Sequence, residues 1–290
     1  MDGRHACRVR NDARPRIRAR LRRRQSRAAS SKSLTTLRLT VEYDGTNFAG
    51  FQWQPEVRTV AATLETALSQ LFAEPVKVTA AGRTDAGVHA SGQVVSCVTE
   101  RSFPFQRLTQ ALASLLPSDC SVREAAAVGD GFSARFDARE RTYVYAVLNR
   151  ARPSALLARY ASFVSQPLEL DAMRAAAAHL IGEWDFRSFA AVPAQEQAIR
   201  ELRRIEFRRA GDLLRVEVAA DAFLHHMVRT IVGTLIECGM ARREPSDLVR
   251  VLAARDRAAA GPTAPPQGLY LAGVRYADGY DSFAEPPILA

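Results

Sequence analysis

Long apolar runs are missing from these 290 residues. No stretch of about 18 apolar residues occurs, which excludes an apolar bilayer-spanning helix, and no secretory leader opens the chain, so the expected compartment is the cytoplasm. Cysteine is scarce: Cys7, Cys97, Cys120 and Cys238 lie far apart with no C-x-x-C spacing, arguing against a zinc ribbon and a disulfide framework. His225 and His226 are adjacent but have no cysteine or carboxylate at ligand spacing, so no metal is expected. The stretch GTNFAG lacks the lysine and hydroxyl of a P-loop, no G-x-G-x-x-G opens a helix, and no nucleophile elbow is present. These absences together lead to an expectation of no cofactor.

What is abundant is arginine, unevenly placed. Residues 1–33 hold eleven arginines and Lys32 against Asp2 and Asp12, a balance of +10; the other 28 basic and 29 acidic residues leave −1. The overall +9 therefore comes from the first stretch, and a basic surface elsewhere requires clustering. Stretches such as RPRIRARLRRRQSR repel themselves and bury little, so residues 1–33 are expected to be a disordered tail. Three origins compete: an RNA-binding arm, a targeting segment, or a start placed too far upstream. An arm neutralising about six phosphates would, on removal, flatten the salt dependence of RNA binding.

The whole chain is 47% hydrophobic, enough for one large or two modest domains. LRLTVEYD alternates strictly, with Leu37, Leu39, Val41 and Tyr43 on one face, and reads as a half-buried strand. TVAATLETALSQLF spaces Val60, Leu64, Leu68 and Leu71 as a helix behind a Thr59 cap. Period two returns at Val76, Val78 and Ala80, and GQVVSCVTE reads as the strand that comes back. PFQRLTQALASLLP is expected to be helical through Leu108, Leu112 and Leu115, then SVREAAAV and RTYVYAVLN extended. ARPSALLARYA leads to a second half, where LDAMRAAAAHLIGE should be a helix closed by Gly182 and RRIEFRRAGDLLRVEVAA a hairpin around Ala-Gly-Asp. HHMVRTIVGTLIECG and PSDLVRVLAARDR complete it as helices, the latter with a Ser246 cap. The pattern is α+β, with mainly antiparallel sheets in two sheet-and-helix subdomains of ferredoxin-like or RRM-like type, not a doubly wound fold. The expected organisation is the tail 1–33, an N-terminal subdomain 34–140, a C-terminal subdomain 141–283 and a short tail 284–290.

One stretch carries a chemical question. In AGRTDAGVHA, residues 81–90, a single carboxylate stands between Arg83 and a glycine turn. An Asp-x-Gly turn often does no more than reverse the chain. Glycines on both sides also allow a carboxylate to be held at a loop tip. Further along, Tyr143 lies on an expected strand, and Arg229 lies in a helix whose face is mostly apolar. Such an arginine is solvated, or else it faces inward and needs a carboxylate partner.

GRTDAGVHA resembles the catalytic motif of the TruA family of tRNA pseudouridine synthases. YDGTNFAGFQWQ, ARFDARERTYVYAVLN, WDFRSF, FLHHMVRTIVGTL and APPQGLYLAGVRY resemble that family's other blocks, in its order, over about residues 36–283. The resemblance implies a pseudouridine synthase fold, an isomerase, and tRNA as substrate at uridines 38 to 40 of the anticodon arm. It further implies a homodimer, with no membrane and no metal involved. Asp85 would be the nucleophile, Arg229 its partner, and Tyr143 the residue that stacks on or deprotonates the base. Arg83 would fill the place of the extruded nucleotide and Leu271 would close the pocket. Two departures stand out, Trp184 where the family often has His and Ala61 where it often has Gln; neither touches the implied chemistry.

That chemistry suits the residues. Pseudouridine formation breaks the N1–C1′ bond, turns the uracil and joins C5 to C1′, so it needs no redox carrier. It does need a nucleophile that can bond and leave, which a carboxylate can do. Burial of a lone carboxylate favours its neutral form, and a guanidinium partner restores the charged one. The competing expectations are a non-catalytic RNA-binding protein, which would use the same aromatics and arginines for stacking, and a ribosome-associated protein, which would account only for the tail.

Overall fold

The computed structural model describes residues 1–3, 34–101, 103–191 and 198–290; the arginine-rich residues 4–33, and with them Cys7, lie outside the described ones. Residues Thr35–Ala290 form one unit. Its first strand, β1 (Thr35–Tyr43), buries Leu37, Leu39, Val41 and Tyr43 as the alternation predicts. The opposite face is covered too: Thr36 and Thr40 are buried, the Tyr280 hydroxyl bonds to Thr40, and the Arg38 guanidinium lies 3.5 Å over the Tyr280 ring. Alternation in sequence shows one apolar face but not what a distant segment lays over the other.

Helix α1 (Val60–Phe72) starts where Thr59 accepts a hydrogen bond from the Ala62 amide at 3.3 Å, the expected cap. A three-residue β2 (Val78–Ala80) follows, then the Gly-Arg-Thr-Asp loop and the long β3 (His89–Thr99). Helix α2 (Leu108–Ala113) is shorter than its apolar spacing predicts, because the preceding turn, Phe105–Arg107, is a 3-10 helix. Strands β4 (Cys120–Val128) and β5 (Ala138–Asn149) come next, and the passage to the second half contributes a short β6 (Ser162–Val164).

Helix α3 (Leu170–Ala178) ends before Gly182, which instead opens β7 (Gly182–Asp185) at φ +113°, a backbone setting that favours glycine. The hairpin is formed by β8 (Ile199–Ala210) and β9 (Leu213–Ala220), in register from Ala210 opposite Leu213 across Gly211-Asp212. Helix α4 (Met227–Gly239) is buried along most of its length, as Met227, Ile231 and Leu235 predicted. In α5 (Asp247–Ala254) the expected Ser246 cap fails: its backbone is already helical, and its side chain makes no capping bond. The last strand is β10 (Leu269–Tyr276).

All ten strands join one sheet in the order β4-β1-β3-β10-β5-β9-β8-β7, with β2 also on β3 and β6 on β5. Every pairing is antiparallel except β3 with β10 and β5 with β6. The α+β class with a mainly antiparallel sheet is therefore as expected. The two halves meet through β10, which comes from the end of the chain and lies between β3 and β5. An expected boundary between residues 140 and 141 falls inside β5.

One apolar layer, including Leu64 and Leu68 of α1, Ile231 and Leu235 of α4, and Tyr145 and Val216 of the sheet, forms the main core. On the sheet, Glu217 is gripped by Arg215 and Arg204, and Arg215 also reaches Glu285 at 2.6 Å. Residues 284–290, expected as a tail, pack instead: the Ala284 amide bonds to the Ala272 carbonyl, and Ile288 and Leu289 lie against a small cluster with Ala146 and Tyr270. The close approach requires glycine, since a Cβ at Gly92 would stand 2.2 Å from the Ala272 oxygen.

Candidate active site

The loop between β2 and β3 is pinned on every side. Gln93 clamps Gly82, its Nε2 donating to the Gly82 carbonyl at 2.6 Å and its Oε1 accepting from the Gly82 amide at 3.4 Å. The Tyr43 and Thr84 hydroxyls are 2.8 Å apart, the Phe51 amide donates to the Thr84 carbonyl at 3.0 Å, and the Gly87 amide to the Phe48 carbonyl. The two glycines serve different needs. Gly87 takes φ +77°, whereas Gly82 provides space: a Cβ there would meet the Tyr143 hydroxyl at 3.3 Å and Leu271 at 3.4 Å. The carboxylate next to them is thus delivered by a loop with little freedom to move.

Asp85 stands between this loop and the start of α4. Arg229 faces inward, its side chain 12% exposed; Nη1 donates to Asp85 Oδ2 at 3.0 Å while Nε donates to the Ala264 carbonyl at 2.8 Å. An arginine on this apolar helix is accommodated because 144 residues away a carboxylate waits for it. The neighbouring histidines join in. His225 Nε2 lies 3.4 Å from Oδ1 and His226 Nε2 3.3 Å from Oδ2, with the two rings 3.9 Å apart. The arrangement depends on His226 at φ +62°, a left-handed backbone uncommon for a residue with a side chain. Burial holds the His226 imidazole below its ordinary basicity, with the Asp85 charge working the other way.

This pair is what sequence reasoning missed. The nearest acid along the chain, Asp221, turns its carboxylate to the Glu201 and Ala222 amides, and the fold supplies Asp85 instead. With Asp85 their ligand atoms lie within 4.8 Å of one another, a donor set a transition metal can use. The Arg229 guanidinium already holds Oδ2, however, so a divalent ion would be set against a fixed positive charge. The cluster is better suited to orienting a carboxylate than to coordinating a metal.

Beside Asp85 opens a cavity of about 470 Å³. Tyr143 lines it, 7% exposed and edge-on to Phe223 at 5.1 Å, and burial, then the nearby Tyr43 and Asp85, push its phenol above the ordinary range. Among the described residues five arginines line the same cavity, Arg83, Arg135, Arg141, Arg200 and Arg229, and Asp85 is the one carboxylate in its wall. Arg141, not singled out from the sequence, ties the wall together: it donates to the carbonyls of Ala81 (3.1 Å), Asp221 (2.7 Å) and Arg135 (2.6 Å). Buried among carbonyls, its guanidinium is pulled below its usual basicity by burial. Arg83 is exposed and makes no hydrogen bond or ion pair among the described residues. Leu271, expected to close the pocket, is instead fully buried opposite Tyr143 in the sheet, behind Gly82; Leu269, two residues earlier on the same face, lines the cavity.

A carboxylate held by cationic and imidazole groups at the mouth of an arginine-lined cavity defines a site for chemistry on a polyanion. Comparison with known proteins gives the class a family. The tRNA pseudouridine synthase family matches residues 39–137 and 176–277. The chain is 47% identical to tRNA pseudouridine synthase A of Chromobacterium violaceum over 244 residues, 83% of this chain and 93% of that protein. It is 44% identical to that of Myxococcus xanthus, covering 84% and 92%, and 43% identical to that of Salmonella arizonae, covering 89% and 96%. Among solved structures, that of the archaeal box H/ACA sRNP Nop10–Cbf5 complex aligns with a TM-score of 0.30 and 15% identity over 77% of this chain and 59% of that one, too distant to argue from. The chain belongs to the tRNA pseudouridine synthase family.

Proposed function

We propose that this chain converts uridines 38 to 40 in the anticodon arm of tRNA to pseudouridine, as a homodimer in the cytoplasm, with Asp85 as nucleophile. The observation that carries the reading is the Asp85–Arg229 pair at 3.0 Å on the wall of a cavity lined by five arginines. No helix among the described residues is long and apolar enough to cross a membrane.

The target base must first leave its stack, at a cost of a few kcal/mol. Arg83, exposed on the same loop as the nucleophile, takes the vacated place, so extrusion and attack are coupled. Asp85 bonds to the sugar or the base, the N1–C1′ bond breaks, the uracil turns, C5 joins C1′, and the bond to Asp85 breaks to return the carboxylate. A proton then leaves C5 and N1 gains one, so the product is an isomer of the substrate. Arg229 holds the carboxylate in place through its hydrogen bond to Oδ2. Tyr143, its phenol held protonated at neutral pH by burial, stacks on the base and relays the proton rather than acting as a free phenolate. Leu269 walls the pocket, and Leu271 fixes Tyr143 from behind.

The test is tritium release from tRNA labelled at uridine C5, comparing the chain with Asp85→Ala while measuring tRNA binding by both. Release only with Asp85 present, and binding by both, is the expected result. Binding without release by either protein would leave a non-catalytic RNA-binding protein. Sedimentation of the same sample should show twice the 31.8 kDa chain mass, and a monomer that turns over would remove the homodimer.

A further inference from the structure

Behind Asp85 lies a second cavity, of about 410 Å³, which the proposed chemistry does not use. It shares a wall with the first: Arg83, Thr84, Asp85, His225, His226 and Arg229 line both. Its other side is the loop after β1, including Gly50, Gln52 and Gln54, with Pro266 closing it. From that loop we infer a second nucleobase subsite, which takes the unstacked neighbour of the target nucleotide, with Gln52 reading its edge and Trp53 stacking on it. The inference rests on the proposed function and extends it to the RNA on either side of the extruded uridine.

Several observations converge on this assignment. Trp53 falls between Gln52 and Gln54 along the chain, outside the cavity wall itself, and is 52% exposed, although an indole is large enough to favour burial. Sequence-tolerant binding of unstacked bases uses such exposed aromatic faces. Gln52 is exposed with no hydrogen bond among the described residues, so both halves of its amide are open to a base edge. Gln54 has its Nε2 committed to the Ala49 carbonyl at 3.0 Å, which leaves its Oε1 as an acceptor.

The loop is also held in register with the nucleophile. Phe51 donates to Thr84, the Val60 amide donates to the Gly50 carbonyl, and Gly50 at φ +96° comes so near that a Cβ would stand 2.9 Å from the Thr84 oxygen. A base seated here is therefore positioned relative to Asp85 and not merely captured. Arg83 lines both walls, so the arginine that takes the vacated place stands between the two subsites.

The test uses an anticodon stem-loop RNA carrying 2-aminopurine beside the target uridine, on the 5′ side in one RNA and the 3′ side in another. Asp85→Asn provides binding without turnover, and Trp53→Ala, Gln52→Ala and Trp53→Phe are made in both backgrounds. In one of the two RNAs, Asp85→Asn should quench the fluorescence; Trp53→Ala should lose the quench and Trp53→Phe should keep most of it. On unlabelled tRNA, Trp53→Ala should raise KM about fivefold or more, from the range typical of a lost base stack, with kcat within about twofold. Because Trp53 is exposed, unchanged thermal melting would exclude misfolding. An unaltered KM and unaltered fluorescence in both RNAs would overturn the subsite. That outcome, with turnover intact in the parent chain, is distinct from loss of the proposed function itself, which would show as no tritium release at all.

Discussion

Arg229 is the residue whose role is most exposed to test. Its guanidinium bonds at once to Asp85 and to the Ala264 carbonyl, so it fixes a charge and a loop together. Arg229→Gln keeps much of the volume but removes the charge from a carboxylate whose side chain is 23% exposed. Turnover should fall by on the order of 10²-fold or more, the range for losing a preorganised electrostatic partner, while tRNA affinity stays within a few-fold. Single-turnover tritium release together with a filter-binding titration separates the two, and a variant at full rate would sink the positioning role. The sequence made this pair visible only as a resemblance and a conditional: an inward arginine needs an acid. Which acid, and that His225 and His226 join it, depends on a left-handed turn at position 226 that nothing in the local sequence announces.

Among the elements, α4 bears most of the load, because it brings Arg229 to the site and packs its other side against the segment before β10. That packing is backbone to backbone: a Cβ on Gly233 would lie 1.8 Å from the Pro262 oxygen, and the Ala264 amide donates to the Arg229 carbonyl at 3.0 Å. Gly233→Ala would ordinarily favour a helix. Here it must push the 262–264 segment away, so it should destabilise by about 1–3 kcal/mol or more and lower Tm by several degrees. Activity should suffer with it, since the Ala264 carbonyl that seats Arg229 moves. Differential scanning fluorimetry decides the matter, and a Tm equal to or above the parent's would refute the close contact. The apolar stripe Met227, Ile231, Leu235 was legible as a helix from spacing alone. Ser246 shows the limit of such reading, for a capping residue type in the right place does not cap when its own backbone is already helical.

At the scale of the whole molecule, a buried histidine ties the first half to the passage that leads into the second. His89 Nδ1 accepts from the Gly45 amide at 3.0 Å, and Nε2 lies 2.9 Å from the Arg159 carbonyl, a pairing in which a neutral ring donates from Nε2 alone. The ring stacks on Tyr270 at 4.7 Å between centroids. Burial lowers its basicity, with the Asp44 carboxylate opposing but not prevailing. The folded chain therefore binds this proton less readily than the unfolded one. Stability from His89 is present above the ordinary histidine value of 6.5 and is lost as pH falls below it. Asp44 behaves alike in a lower window: burial raises its carboxyl, but the Thr46 hydroxyl and amide and the Tyr160 hydroxyl outweigh that and hold it below 3.8, so its contribution goes only in stronger acid. Urea midpoints measured from pH 7.5 to 5 should fall, and His89→Gln should flatten that slope. A midpoint independent of pH over this range would contradict the neutral assignment.

By itself the sequence determined the α+β class, the five helices and seven of the ten strands among the described residues, and the block of residues around Asp85, because periodicity, turn chemistry and motif spacing are properties of neighbours along the chain. It also determined that a near-neutral body would have to gather its arginines. Tertiary structure alone decided that five of them gather around one carboxylate, that β10 from the chain's end joins two halves into one sheet, and that residues 284–290 pack on the body. It decided as well that Leu269 rather than Leu271 faces the cavity. The reason is the same in each case: these outcomes rest on contacts between segments tens to hundreds of residues apart, where burial, close backbone approach and the pairing of opposite charges select the partners, and a local pattern carries no record of which distant partner will arrive.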